Sequence, residues 1–153
     1  MSQQNVEVVR AMFEDFLAGA TEYDADGVLT RLPGEEVWDP EIVFDISVAP
    51  MPDASGVFKG IEACRGFWRE WLAAWDALEW EYELVDAGDR VVALINNQRM
   101  RGRATGIEMS IGVDYAHVLT FSEERLVHWK VYLNQEEALE AVGLSAQDAH
   151  AHS

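Results

Sequence analysis

Residues 107 to 121 read Ile107, Glu108, Met109, Ser110, Ile111, Gly112, Val113, Asp114, Tyr115, Ala116, His117, Val118, Leu119, Thr120 and Phe121. The odd-numbered members are apolar or aromatic, except His117. The even-numbered set is mixed, with Glu108, Ser110, Asp114 and Thr120 among it. Side chains alternate faces along a strand, so a period of two over this length predicts one long strand, about 106 to 121, with one buried face. His117 is then the one ionisable group on an oily wall. A titratable ring in that setting points to a pocket, without naming what fills it.

Working outward, the turn-forming residues Ala87-Gly88-Asp89, Gly102 to Gly106 and Ser122-Glu123-Glu124 divide the chain. They predict strands at about 78 to 86, 90 to 101 and 126 to 133, paired antiparallel with their neighbours. Asn134 followed by Glu137 resembles a capping box, so a last helix begins there and Gly143 ends it. Towards the N-terminus, Val6, Val9, Phe13, Phe16 and Leu17 have the spacing of an amphipathic helix over 4 to 18. A short helix is predicted at Asp24 to Leu32, stopped by Pro33-Gly34. Residues 41 to 48 read as a strand rich in branched side chains, and 49 to 57 as a loop. Residues 60 to 76 return to helical period with Ile61, Cys64, Phe67, Trp68, Trp71, Leu72 and Trp75. Helices followed by a run of strands predict an α+β fold, with the helices covering one face of a curved sheet. The domain spans 1 to 144, and 145 to 153 form a flexible tail.

The chain has 153 residues, enough for one core, and 49% of them are hydrophobic. Its net charge of −17 argues against nucleic acid and against an anionic membrane surface. No stretch approaches the roughly 20 apolar residues that span a bilayer, and no signal-type segment opens the chain. A single cysteine, Cys64, rules out an intrachain disulfide and suits a cytoplasmic location. There is no CxxC, HExxH, GxGxxG or P-loop, so no metal or cofactor is expected. His150 and His152 in the tail have nothing to complete a metal site.

Three segments carry a family resemblance: Asp39-Pro-Glu-Ile-Val-Phe-Asp45, Gly60-Ile-Glu-Ala-Cys-Arg-Gly-Phe-Trp68, and Ala116-His-Val-Leu-Thr-Phe121 with Leu126 to Leu144. They resemble the SnoaL-like family of the nuclear transport factor 2-like superfamily, which includes polyketide cyclases and ketosteroid isomerases. The resemblance implies a cone: a curved antiparallel sheet wrapped around about three N-terminal helices, with a pocket at the open end. It also implies a homodimer. Asp45 matches the isomerases' catalytic base, and His117 their second acid, which donates to the developing oxyanion. The oxyanion tyrosine of the first helix is replaced by Phe13, which cannot donate a hydrogen bond. Trp129, Val131 and Leu133 match pocket-lining positions, and Trp68, Tyr115 and Phe13 join them as candidate substrate-lining side chains.

The functional expectation is a cofactor-independent acid–base enzyme of cyclase, isomerase or dehydratase type acting on an apolar carbonyl compound. Asp45 would be its base and His117 its acid or oxyanion donor. The alternative is a binding protein for an apolar small ligand. Epoxide hydrolysis is a lesser alternative. There Arg99 or Arg101, members of a basic triplet with Arg103, would bridge Asp45 and Asp114. It conflicts with the outward parity of Asp114.

Overall fold

The computed structural model describes residues 2–18, 22–26, 29–47, 56–102, 104–111 and 115–145. Helix α1 (Ser2–Leu17) buries Val6, Val9, Met12, Phe13 and Phe16, one stripe at three- and four-residue spacing. It packs against the strand β5 (Trp75–Ala87). Helix α2 (Ile61–Ala73) buries Cys64 and Trp68. A C-terminal helix, α3 (Gln135–Ala141), lies on the other side of the sheet. The Asn134 side chain caps it by accepting from the amides of Glu136 and Glu137. Gly143, at a φ of 79°, closes it, with the Leu144 amide bonded back to the Leu139 carbonyl at 2.8 Å.

The remaining strands are β1 (Glu22–Tyr23), β2 (Leu29–Arg31), β3 (Trp38–Asp45), β4 (Val57–Lys59), β6 (Arg90–Gly102), β7 (Glu108–Ile111), β8 (Tyr115–Ser122) and β9 (Arg125–Tyr132). The main sheet runs β4-β3-β9-β8-β6-β5, with β7 also on β6. All its pairs are antiparallel except β3 with β9. Its inner face carries Phe44, Val91, Ala93, Ile95, Tyr115, Leu119, Trp129 and Val131 against α1 and α2. On the outer face Val85, Val92, Leu94, Ala116 and Val118 pack under Ala138 and Leu139 of α3.

The sheet is strongly bent, and the bend has a cause in the register. Gln98 pairs with Ile111, and Ile95 pairs with Tyr115. Between these partners β6 advances by three residues and its neighbour by four. The β5–β6 register shifts at the same level, between Glu81 and Tyr82. An extra residue bends a strand and sharpens its twist, so irregularities aligned across neighbouring strands fold the sheet over the helices.

Several expectations change here. Of the predicted single strand over 106 to 121, β7 and β8 are described, and residues 112–114 between them lie outside the described residues. Its even-numbered face is not simply solvated, because α3 covers Ala116 and Val118. Ile107 lies before β7 and is 61% exposed. The predicted helix at Asp24 to Leu32 is instead the β1–β2 hairpin. Asp24 turns the chain by accepting from the Asp26 amide at 2.9 Å. Among the described residues no third N-terminal α-helix occurs, and the third α-helix is C-terminal. Strand β3 begins at Trp38, three residues before the predicted start. The short β4 is an addition to the expected elements, and its first residue, Val57, falls at the end of the expected loop. Trp75 opens β5 rather than ending α2. Arg103, Asp114 and the tail with His150 and His152 lie outside the described residues, as does most of the 49 to 57 loop.

One partly buried ion pair, with its carboxylate buried, ties the β2 region to α2. Glu35 accepts from the Leu32 amide at 2.6 Å and from Arg65 Nε at 2.9 Å and Nη2 at 2.5 Å. Hydrogen bonding to Glu35, chiefly, raises the Arg65 pKa further. Just before Glu35, Gly34 has a φ of 84°, and a β-carbon there would meet the Met12 side chain at 2.8 Å. Removing one member of a buried pair strands the other charge. Arg65→Leu is therefore expected to destabilise the fold by about 3 kcal/mol in urea unfolding, and Glu35→Gln, which strands no carboxylate, by clearly less.

Candidate small-molecule site

His117 sits mid-strand in β8, paired with Ala93 of β6 and Val131 of β9. Parity turns it inward, as the alternation predicts, and it is 4% exposed. Its ring lies among Phe13, Trp80, Tyr115 and Trp129, with centroids at 5.9, 5.8, 5.5 and 5.8 Å. Trp129 Nε1 is 2.7 Å from His117 Nδ1. An indole N–H can only donate, so Nδ1 accepts and carries no proton. A neutral imidazole must then hold its proton on Nε2. Burial pushes the His117 pKa down to about 3, so the ring is neutral at pH 7.

The Nε2 proton has no acceptor among the described residues. Trp68 Nε1 and Trp80 Nε1 are also buried without a hydrogen-bond partner among the described residues. Given the tautomer, all three are donors. A short chain of satisfied groups lies next to them. The Tyr115 hydroxyl donates to Gln98 Oε1, and Gln98 Nε2 lies 3.4 Å from Met100 Sδ. Gln98 is as buried as the core around it, and the sequence reading did not single it out. Its cross-strand partner Trp80 faces inward, but that signal depends on a register that the β6 bulge displaces. Burial raises the Tyr115 pKa.

Phe13 is the centre of the ring cluster, touching Trp80, Tyr82, His117 and Trp129. Trp68 packs on Phe16, Phe44 and Trp129. Trp129 and Val131 are fully buried. Leu133 is 47% exposed, past the end of β9, so it does not line this interior. A recess of about 330 Å³ opens beside Trp80, walled by Leu17, Leu78, Asn97 and Arg99 among others. Trp80 borders both this recess and His117.

Asp45 and His117 are not brought together. Asp45 pairs in register with Lys130, while His117 pairs with Val131, the next residue on β9. Adjacent residues of a strand point to opposite faces, so Asp45 lies on the outer side of the sheet. There its Oδ1 accepts from the Ser47 hydroxyl at 2.7 Å and the Ser47 amide at 3.0 Å. Partial burial pushes its pKa up, but the Ser47 hydrogen bonds, with Lys130 and His128, outweigh that and leave it below the usual value. The register thus puts Asp45 and His117 on opposite faces of the sheet.

Arg99 lies exposed on β6, 3.8 Å from Glu79 and 3.6 Å from Glu81. Cys64 is buried, and burial raises its thiol pKa to about 11. Among the described residues no group of His, Cys, Asp and Glu is arranged to hold a metal, and no helix is long and apolar enough to cross a membrane.

The SnoaL-like domain family matches residues 7–129, and the chain belongs to that family. No curated protein matches the chain in sequence. Its fold is that of the NTF2-like proteins. One from Burkholderia pseudomallei is 18% identical with a TM-score of 0.61, over 91% of this chain and 97% of that one. TerC, co-crystallised with polyporic acid, is 15% identical with a TM-score of 0.62, over 90% and 97%. A Catenulispora acidiphila protein with a ketosteroid isomerase-like fold, in complex with trimethylamine, is 17% identical with a TM-score of 0.55, over 92% and 95%.

The His117 environment sets an acid limit on stability. Between about pH 6.5 and about pH 3 the unfolded imidazole binds a proton that the folded one refuses. By linkage, stability then rises with pH and is lost as pH falls through this window, by up to about 5 kcal/mol. In His117→Gln that contribution disappears. The difference in unfolding free energy between pH 7 and pH 4 is expected to shrink relative to wild type in urea titrations.

Proposed function

We propose that this chain receives an apolar, carbonyl-bearing small molecule at His117 and polarises its carbonyl by hydrogen-bond donation, without a cofactor. The observation that carries the reading is the unanswered Nε2 proton of a buried, neutral imidazole. An unsatisfied buried donor costs about 1–3 kcal/mol, and a ligand oxygen recovers that cost. The aromatic walls supply desolvation and shape. The recess at Trp80 is the route by which a ligand reaches the imidazole once that indole turns aside. Polarising a carbonyl acidifies the neighbouring carbon, the step from which isomerisation, cyclisation and dehydration begin. The polyporic acid of TerC and the trimethylamine of the Catenulispora protein support a small-molecule site in this fold. On the family resemblance we take the active form to be a cytoplasmic homodimer.

Asp45 remains the candidate base on the resemblance alone. Its outer-face position favours a second reading, in which the ligand is held and not converted. The test uses acetylnaphthalene, with ethylnaphthalene as the apolar control. The ketone is expected to raise the melting temperature of the wild type more than the hydrocarbon does. His117→Phe is expected to weaken ketone affinity about tenfold and leave the hydrocarbon unchanged. Equal responses to both compounds in the wild type would end the proposal. A proton-exchange assay at the ketone's α-carbon then separates the readings. Exchange lost in Asp45→Asn supports catalysis with Asp45 as base, and no exchange in the wild type supports binding alone.

A further inference from the structure

We infer that Trp129 is a positioning residue: its N–H fixes His117 as an Nε2–H donor, so that the interior recognises acceptor oxygens and rejects donor-only groups such as ammonium. The second half rests on the function proposed above, and the first does not. The bond is short, 2.7 Å, and both side chains are buried, Trp129 at 1% exposure. Water cannot compete for either nitrogen. Without the indole N–H, nothing in the ring cage holds one tautomer. Phe13 offers no polar atom, the Tyr115 hydroxyl is engaged with Gln98, and Trp80 Nε1 has no hydrogen-bond partner.

The polarity of the cage follows. The buried side-chain nitrogens that lack partners, on Trp68, Trp80 and His117, are all donors while Nδ1 is occupied. If the proton moved to Nδ1, Nε2 would become an acceptor and the cage would present both signs. An occupant matched to the observed state offers oxygen lone pairs, as in a ketone, quinone or enolate. An ammonium group would meet N–H against N–H.

The test replaces Trp129 by benzothienylalanine, which keeps the shape of indole and has sulfur where the N–H was. Trp38→Phe serves as the packing control. Trp38 also touches Trp129, at 6.1 Å, but its N–H goes to Met12 Sδ. Nitrogen-15 NMR of the His117 ring should show a single Nε2–H tautomer in the wild type. A scalar coupling across the hydrogen bond should connect Trp129 Nε1 to His117 Nδ1. The analogue should show a mixture that includes Nδ1–H, whereas Trp38→Phe should keep the wild-type pattern. Acetylnaphthalene affinity should fall about tenfold in the analogue, and exclusion of naphthylethylamine should relax. A wild-type mixture of tautomers, or an analogue spectrum identical to wild type, overturns the role of Trp129. A locked Nε2–H resonance that acetylnaphthalene leaves unmoved overturns the proposed function and leaves the positioning role standing.

Discussion

The packing of one indole holds this structure together. Trp129 lies on β9, between β3 and β8, and its ring meets Phe13 and Phe16 of α1, Trp68 of α2, Phe44 and Trp38 of β3, and His117 of β8. Both inner helices and the two neighbouring strands converge on one side chain. Large aromatics bury 150–250 Å² each by the usual measure, roughly 4–6 kcal/mol of transfer free energy. That is comparable with the whole net stability of an ordinary domain. Unlike those of Trp68 and Trp80, the N–H of this ring is answered: His117 Nδ1 accepts its hydrogen bond. Fold and site therefore share one contact.

That contact also decides what kind of chemistry the interior can do. Two effects compete for His117. A nearby anion would favour the imidazolium, and desolvation favours the neutral ring. Burial is what lowers the pKa to about 3. At that value the ring is a feeble base at neutral pH, and its charged form is too scarce to act as an acid. Hydrogen-bond donation from Nε2 remains. A neutral donor stabilises a developing oxyanion without first being desolvated as a cation, because the low-dielectric surroundings are already in place. Proton transfer in this family member, where it occurs, has to come from another group.

Much of this was legible from residue spacing alone. The inward face of His117 followed from the Tyr115, Leu119 and Phe121 alternation. The α1 stripe followed from Val6, Val9, Phe13 and Phe16. The α3 boundaries followed from Asn134 and Gly143, since capping is a local matter of which side chain reaches which amide. What alternation cannot reveal is a bulge. The odd-numbered series from Ile107 to Phe121 keeps one apolar parity in sequence throughout, because the irregularity shows only in the pairing with β6. Nor could it show α3 covering the outer face, since Ala116 and Val118 are too few and too small to announce a second buried layer. The Asp24 to Leu32 segment misled because Asp, Gly and Leu suit a helix start as well as a tight hairpin. The Asp45 misplacement has a different origin. The resemblance put it in the pocket while Ile42, Phe44 and Ile46 put it outside, and the β3–β9 register follows the side-chain pattern.

The bend and the site are linked through that same register. Gln98 and Tyr115 lie on either side of the level where β5, β6 and β7–β8 lose step, and their side chains are hydrogen-bonded. A flat sheet would hold His117 against a single helix, with the far end of the strand open to water. Trp80 of the edge strand β5 lies against the imidazole, one residue from the Glu81–Tyr82 register shift. A residue from one sheet edge thus completes the cage, beside the recess at Leu17 and Leu78. The bulges thus do more than shape the cone. They set how dry the imidazole is, and dryness fixes its charge, its acid lability and its capacity to donate.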